Sequence, residues 1–238
     1  MLVTCRVDLP RLHVLASPEP SCPHTASRVR QTKHPLGLLC KQHQRCRKHW
    51  ISPNSVLKNN CSIVSTMSIE PDNKDWTWVL DQPCPDCAYD ASRVVPRDIG
   101  LTIREIASQW DAVLVHPQCV IRPRPNIWSA LEYGCHVRDV FRLFDKRLVM
   151  MLTLDSPTFA NWDQDKTAVD DRYDLQDPVV VRREIVFAGD QLADRFDSVA
   201  DAEWVRKGQR SDGAAFTIDT FGRYMVHDPI HHLWDVAH

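Results

Sequence analysis

Apolar residues recur at intervals of three and four along four separate stretches of the chain, the spacing of a helix with one buried face. The first stretch covers about 97–115, with Ile103, Ile106, Trp110 and Val113 on one stripe. The second covers about 128–153, where Tyr133, His136, Val140, Phe144, Leu148 and Met151 align. The third, about 177–200, carries Val181, Ile185, Ala188, Leu192, Phe196 and Val199. The fourth, about 217–237, carries Tyr224, His227, His231 and Trp234. Strand-like alternation is almost absent. The pattern predicts an all-α four-helix bundle with one long connection at 154–176.

End signals support these limits. Ser129 and Glu132 have the spacing of a capping box, and Asp177-Pro178 offers a cap residue followed by a first-turn proline. Pro229 lies inside the fourth stretch and removes one backbone hydrogen bond, so a continuous but kinked helix is expected there. Residues 71–92, with Trp76, Trp78, Cys84 and Cys87 among prolines and aspartates, read as an ordered loop or short helical turn.

The periodicity stops before residue 67, and so does the charge balance. Residues 1–66 hold ten Lys/Arg against two Asp/Glu, while 67–238 hold nineteen against twenty-nine, so the total of −2 conceals two unlike segments. The first segment also holds five of nine cysteines and six of sixteen prolines, without a sustained apolar period. It is expected to be a disordered or dispensable extension, with Met67 opening the working domain at 67–238. Arg6 and Asp8 interrupt any signal-peptide core. A transit peptide, or a small zinc site from Cys40, His43, Cys46 and His49, are the other readings of this segment.

Seven glycines in 238 residues form neither GxGxxG nor GxxxxGK[ST], which argues against dinucleotide and P-loop folds. No apolar run approaches the roughly 18–20 residues a membrane helix needs. The acidic domain argues against nucleic-acid binding, which draws on basic surface. A soluble protein of the cytoplasm, with no membrane and no nucleic-acid partner, is expected.

Three histidines change the picture. His227 and His231 are four residues apart and share a helix face, the spacing by which two imidazoles hold one metal. His136 lies on the core stripe of the second helix, which a bundle can bring beside the fourth. Three imidazoles suit a divalent transition metal and leave positions open for chemistry. The same residues would also serve as hydrogen-bonded core histidines. His232 points about 100° from His231 and reads as rim or surface, while His116 and His238 have no assigned role.

The segments WSALEYGCHVRDV over 128–140 and HDPIHHL over 227–233 resemble the DinB-like superfamily of metal-binding four-helix bundles. That superfamily includes mycothiol-dependent maleylpyruvate isomerase and bacillithiol transferase domains. The resemblance covers about 72–236. It implies a metal, zinc or else nickel, on His136, His227 and His231. It further implies an S-transferase or isomerase using a low-molecular-weight thiol such as mycothiol and an electrophilic substrate. Asp139 and Asp235 stand where they could orient imidazoles from behind. A non-catalytic metal-binding stress-response protein and a metal-dependent hydrolase are the competing classes, and a homodimer fits bundles of this kind.

Other features read as structural. Cys84-Pro-Asp-Cys87 suits a local structural role or a second metal site, with redox catalysis as the alternative. Cys135 reads as a small buried hydrophobe and Glu132 as a helix cap or a stabiliser of the site. Arg122-Pro-Arg124-Pro reads as loop. Asn161 to Asp165 lies in the long connection and is expected over the bundle mouth.

Overall fold

In the computed structural model, the described residues are 69, 71 and 74–238. The expectations for residues 1–66, including the Cys40/His43/Cys46/His49 group, lie outside them, as does Met67. The described residues form five α-helices: α1 (Ile99–Leu114), α2 (Ala130–Thr153), α3 (Gln164–Asp170), α4 (Pro178–Asp197) and α5 (Ile218–Ala237). Four of them coincide with the periodic stretches to within three residues at each end. The fifth, α3, is one short helix within the 154–176 connection.

The expected caps are formed. Ser129 Oγ accepts from the Glu132 amide, and the Glu132 carboxylate returns to the Ser129 amide at 2.8 Å. Asp177 accepts from the Val179 amide ahead of Pro178. Helix α5 runs unbroken through Pro229, whose carbonyl accepts a hydrogen bond from the buried Trp110 Nε1 at 3.2 Å. That bond fixes α1 against α5 near the proline.

Helix α4 packs between α1 and α2, and α5 lies against both of those helices on the other side. Gly189 lets α4 approach α1, because a Cβ there would stand 3.0 Å from Ala107 Cβ. Position 100, at the start of α1, faces Asp197 at the end of α4. Position 222, near the start of α5, faces Ile99 and Phe196. The starts of α1 and α5 therefore share one end of the bundle with the ends of α2 and α4, giving an up-down-down-up order. Two successive parallel helices, α2 and α4, need a connection that travels the bundle's length, which accounts for the length of 154–176.

Part of that connection pairs in a small sheet that periodicity does not reveal. Strand β1 (Thr158–Phe159) runs parallel to β2 (Lys207–Arg210), and β2 pairs antiparallel with β3 (Ala215–Thr217). Strands of two to four residues are too short to show alternation. The β2–β3 turn uses Gly213 at φ 102, a conformation that favours glycine. Arg147 of α2, itself buried, donates to the Ala160 carbonyl at 2.7 Å and holds the strand end against the bundle.

The core is the four expected stripes plus residues from the connections: Trp110, Phe141, Tyr173, Phe196 and Phe221 are all almost completely buried. Val179, Val180 and Phe187 remain exposed on the outer face of α4. No described helix is long and apolar enough to cross a membrane. Leu192 of α4 is fully enclosed. Leu192→Ala should lower the unfolding free energy by about 2–5 kcal/mol in urea titrations, whereas Phe187→Ser should change it by less than about 0.5 kcal/mol.

Candidate metal centre

The end of the bundle where α1 and α5 finish and α2 and α4 begin collects the chemically capable side chains. Two groups of potential metal ligands assemble there, the ligand atoms within each lying within 4.8 Å of one another. One group is Cys84, Cys87, His227 and His231. The other is His136, Asp228 and His232.

The three expected ligands are thus divided. His227 and His231 lie with the two cysteines, and His136 faces the next pair along the same helix, Asp228 and His232. The reason is helical register: each residue turns α5 by about 100°, so positions 227/231 and 228/232 form two stripes on adjacent faces. Helix α2 meets the second stripe. His232, expected at the rim or surface, is partly buried and faces His136 with ring centroids 4.9 Å apart.

In the three-residue group, His136 is completely buried. Its Nε2 lies 3.2 Å from Asp228 Oδ1, and His232 Nε2 lies 3.9 Å from the same oxygen. His232 Nδ1 bonds Asp235 Oδ2 at 2.8 Å. A carboxylate behind the remote nitrogen fixes an imidazole's orientation and turns its other nitrogen towards a metal. Burial opposes ionisation of Asp228, but the pull of His136 and their hydrogen bond outweigh it and hold the carboxyl down at about 2. Asp228 is therefore an anionic donor at neutral pH. The Trp162 ring stacks on His136 at 5.2 Å and 6°, so the 161–165 segment does fold over this end of the bundle. Asn161, Asp163 and Asp165 line the same cleft as Asp228 and His232.

Asp235, one of the two acids expected behind an imidazole, lies beside His232 and 3.9 Å from His231 Nε2. Asp139 does not. It accepts from Arg138 at 2.9 Å and from Tyr173 at 2.6 Å, and pairs with Arg142, so its carboxylate is committed to a polar network rather than an imidazole. Glu132, besides capping, pairs with Arg122. That buried carboxylate accounts for Arg122 in the basic loop. Cys135 is fully buried, and burial pushes its thiol up to about 12, which fits a small hydrophobe and not a nucleophile.

In the four-residue group, Cys84 Sγ lies 3.5 Å from His231 Nδ1. Burial pushes the Cys87 thiol up to about 11. Burial, and then the nearby His231, bring the His227 imidazole down to about 4 from 6.5. A neutral imidazole keeps its lone pair available. Among the described residues, three buried side-chain nitrogens lack a hydrogen-bond partner: His136 Nδ1, His227 Nε2 and Trp204 Nε1. Such an atom costs about 1–3 kcal/mol, and two of the three belong to these groups. The sequence marks Cys84 and Cys87 as a candidate second metal pair but not their partners His227 and His231, and it does not mark Asp228 and His232 as ligands. The Cys-x2-Cys spacing and the second i,i+4 pair were the available signals.

With this geometry in place, a likeness in fold becomes informative. The chain is similar to the solved structure of YfiT from Bacillus subtilis, a probable metal-dependent hydrolase with an unusual four-helix bundle topology. The two share a fold. The TM-score is 0.54 at 17% identity, covering 60% of this chain and 85% of YfiT. The likeness bears out the four-helix bundle expected from the sequence. No protein-family model and no curated protein matches the chain.

The His227 environment has a measurable consequence. The unfolded chain takes up a proton on His227 near pH 6.5, and the folded chain only near pH 4. Unfolded protein thus binds more protons in this interval, so the stability of metal-free protein falls as pH drops through it, by up to about 3 kcal/mol from this residue. Denaturant titrations of metal-free protein across pH 6.5 to 4 should show this slope, and His227→Gln should reduce it, leaving the part contributed by His231, whose imidazole burial also pushes down.

Proposed function

We propose that this protein is a metal-dependent enzyme whose reactive centre is His136, Asp228 and His232, and that it activates a low-molecular-weight thiol for attack on an electrophilic small molecule. The observation that carries the reading is a set of two imidazoles and one carboxylate from α2 and α5, held by Asp235 and opening into a cleft. Three protein ligands leave coordination positions for an exogenous group, as catalytic sites do. A divalent metal there would supply Lewis acidity and favour the thiolate, the nucleophilic form of a thiol.

The chain's own residues do the rest. Asp228 contributes negative charge that retains a cation, and Asp235 holds the His232 ring in place. Trp162 covers His136 and limits water access from one side. The cleft around the centre mixes aromatic faces with polar groups, among them Trp76, Tyr224, Asn161 and Asp165, a lining suited to a polyhydroxylated thiol such as mycothiol. The reading implies a small-molecule thiol and an electrophile as partners, in the cytoplasm, where such thiols are kept reduced.

A hydrolytic reading is favoured by one specific observation, the likeness to YfiT. It uses the same three ligands with water in place of the thiol. The two readings separate cleanly in one assay. Zinc-, nickel- or manganese-loaded protein is offered electrophiles and esters, each with and without mycothiol, bacillithiol or glutathione. Turnover only with a thiol supports transfer, and turnover without one supports hydrolysis. Absence of both leaves a metal-binding protein without this chemistry. His136→Ala and His232→Ala should each abolish turnover, and Asp235→Asn should weaken metal affinity about 10–100-fold.

A further inference from the structure

We propose that Cys84, Cys87, His227 and His231 form a second, closed metal site, a structural zinc centre that fastens the segment around residues 84–89 to α5. It shares no ligand with the His136/Asp228/His232 centre and takes no substrate itself.

Two thiols and two imidazoles are the donor set of tetrahedral structural zinc, and four protein ligands leave no position for substrate. Zinc's borderline-soft character suits mixed sulfur and nitrogen ligation. The four ligand atoms already lie within 4.8 Å of one another. Cys84 and His231 make the closest recorded approach, 3.5 Å from Sγ to Nδ1.

The Cys-x2-Cys segment is shaped for the purpose. The Cys84 amide donates to the Tyr89 carbonyl at 2.8 Å, and the Ala88 amide donates to the Cys84 carbonyl at 3.0 Å. This closes a tight turn. Ala88 adopts φ 58, a left-handed conformation that is costly for a residue with a Cβ. Strain of that kind persists where its surroundings hold it, and here it accompanies both sulfurs facing the helix.

An independent observation comes from His227. The residue is 3% exposed and its Nε2 has no hydrogen-bond partner. Proteins rarely leave such an atom unsatisfied. A metal shared with His231 and the two sulfurs would supply the missing partner. Around the group, Trp76 lies over both imidazoles at 5.4 and 5.0 Å, and Tyr89 lies 5.4 Å from His227. This aromatic cover excludes water, as around buried structural metals. Asp235 lies 3.9 Å from His231 Nε2, on the nitrogen remote from Cys84.

Away from these ligands, the segment is held to α5 by Tyr89 donating to the Arg223 carbonyl at 2.5 Å and Arg223 donating to the Ala91 carbonyl at 2.7 Å. A zinc would add a cross-link between positions about 140 residues apart in sequence, joining Cys87 to His227.

The test uses full-length, tag-free protein purified under reducing conditions. Zinc content is measured for the wild type, for Cys84→Ser/Cys87→Ser and for His136→Ala/His232→Ala, followed by replacement with cobalt(II). The cysteine variant should lose about one zinc per chain and the near-ultraviolet sulfur-to-cobalt charge-transfer absorption. The histidine variant should keep both, which separates this site from the reactive centre. The cysteines of residues 1–66 are present in every sample, so the difference between variants reports Cys84 and Cys87 alone. Equal zinc content and cobalt spectra in wild type and cysteine variant would overturn the proposal. Should the cysteine variant fail to fold, hydrogen exchange on chelator-treated wild type decides. Zinc addition should slow exchange across residues 76–93, and unchanged exchange there would overturn the proposal equally.

Discussion

A protein interior rarely leaves a polar atom without a partner, and the end of this bundle draws four imidazoles, several carboxylates and two thiols into or beside such an interior. That constraint organises the whole region. Where ordinary partners exist, they are used: Asp139 is satisfied by two arginines and a tyrosine, Glu132 by Arg122 and Ser129, and His232 by Asp235. Among the described residues three buried side-chain nitrogens stay unpaired, Trp204 Nε1, His136 Nδ1 and His227 Nε2, and the last two belong to residues of the groups that can hold a cation. The helices bring these residues together, but the polar chemistry decides what that proximity is for.

The fold was legible because its signals are local and repeated. Twenty-residue helices show five or six turns of apolar periodicity, and the caps at Ser129 and Asp177 mark their starts. The small sheet was hidden because its strands are a few residues long and lie in the connections. The parallel course of α2 and α4 is a property of packing, and no local pattern announces it.

The site was legible at the level of residue type and helix, and not at the level of partnership. His136 on α2 and an i,i+4 pair on α5 are readable from spacing alone. Which pair faces α2 depends on the azimuth of α5, and a sequence holding HDPIHH offers two pairs one residue apart. Cys84 and Cys87 were recognisable as a pair. Their partners lie about 140 residues away on α5, a distance over which spacing carries no information. Asp235 was identified for its nearness to His231, and the structure shows it nearer still to His232.

Asp235 stands behind an imidazole from each group, one oxygen on His232 and the other towards His231. A single carboxylate thereby serves as a common hinge-pin for two neighbouring rings. Because those rings belong to adjacent stripes of one helix, twisting α5 to improve either group's geometry necessarily displaces the other. The two groups thus share one helix and one carboxylate, and the angular setting of α5 positions both.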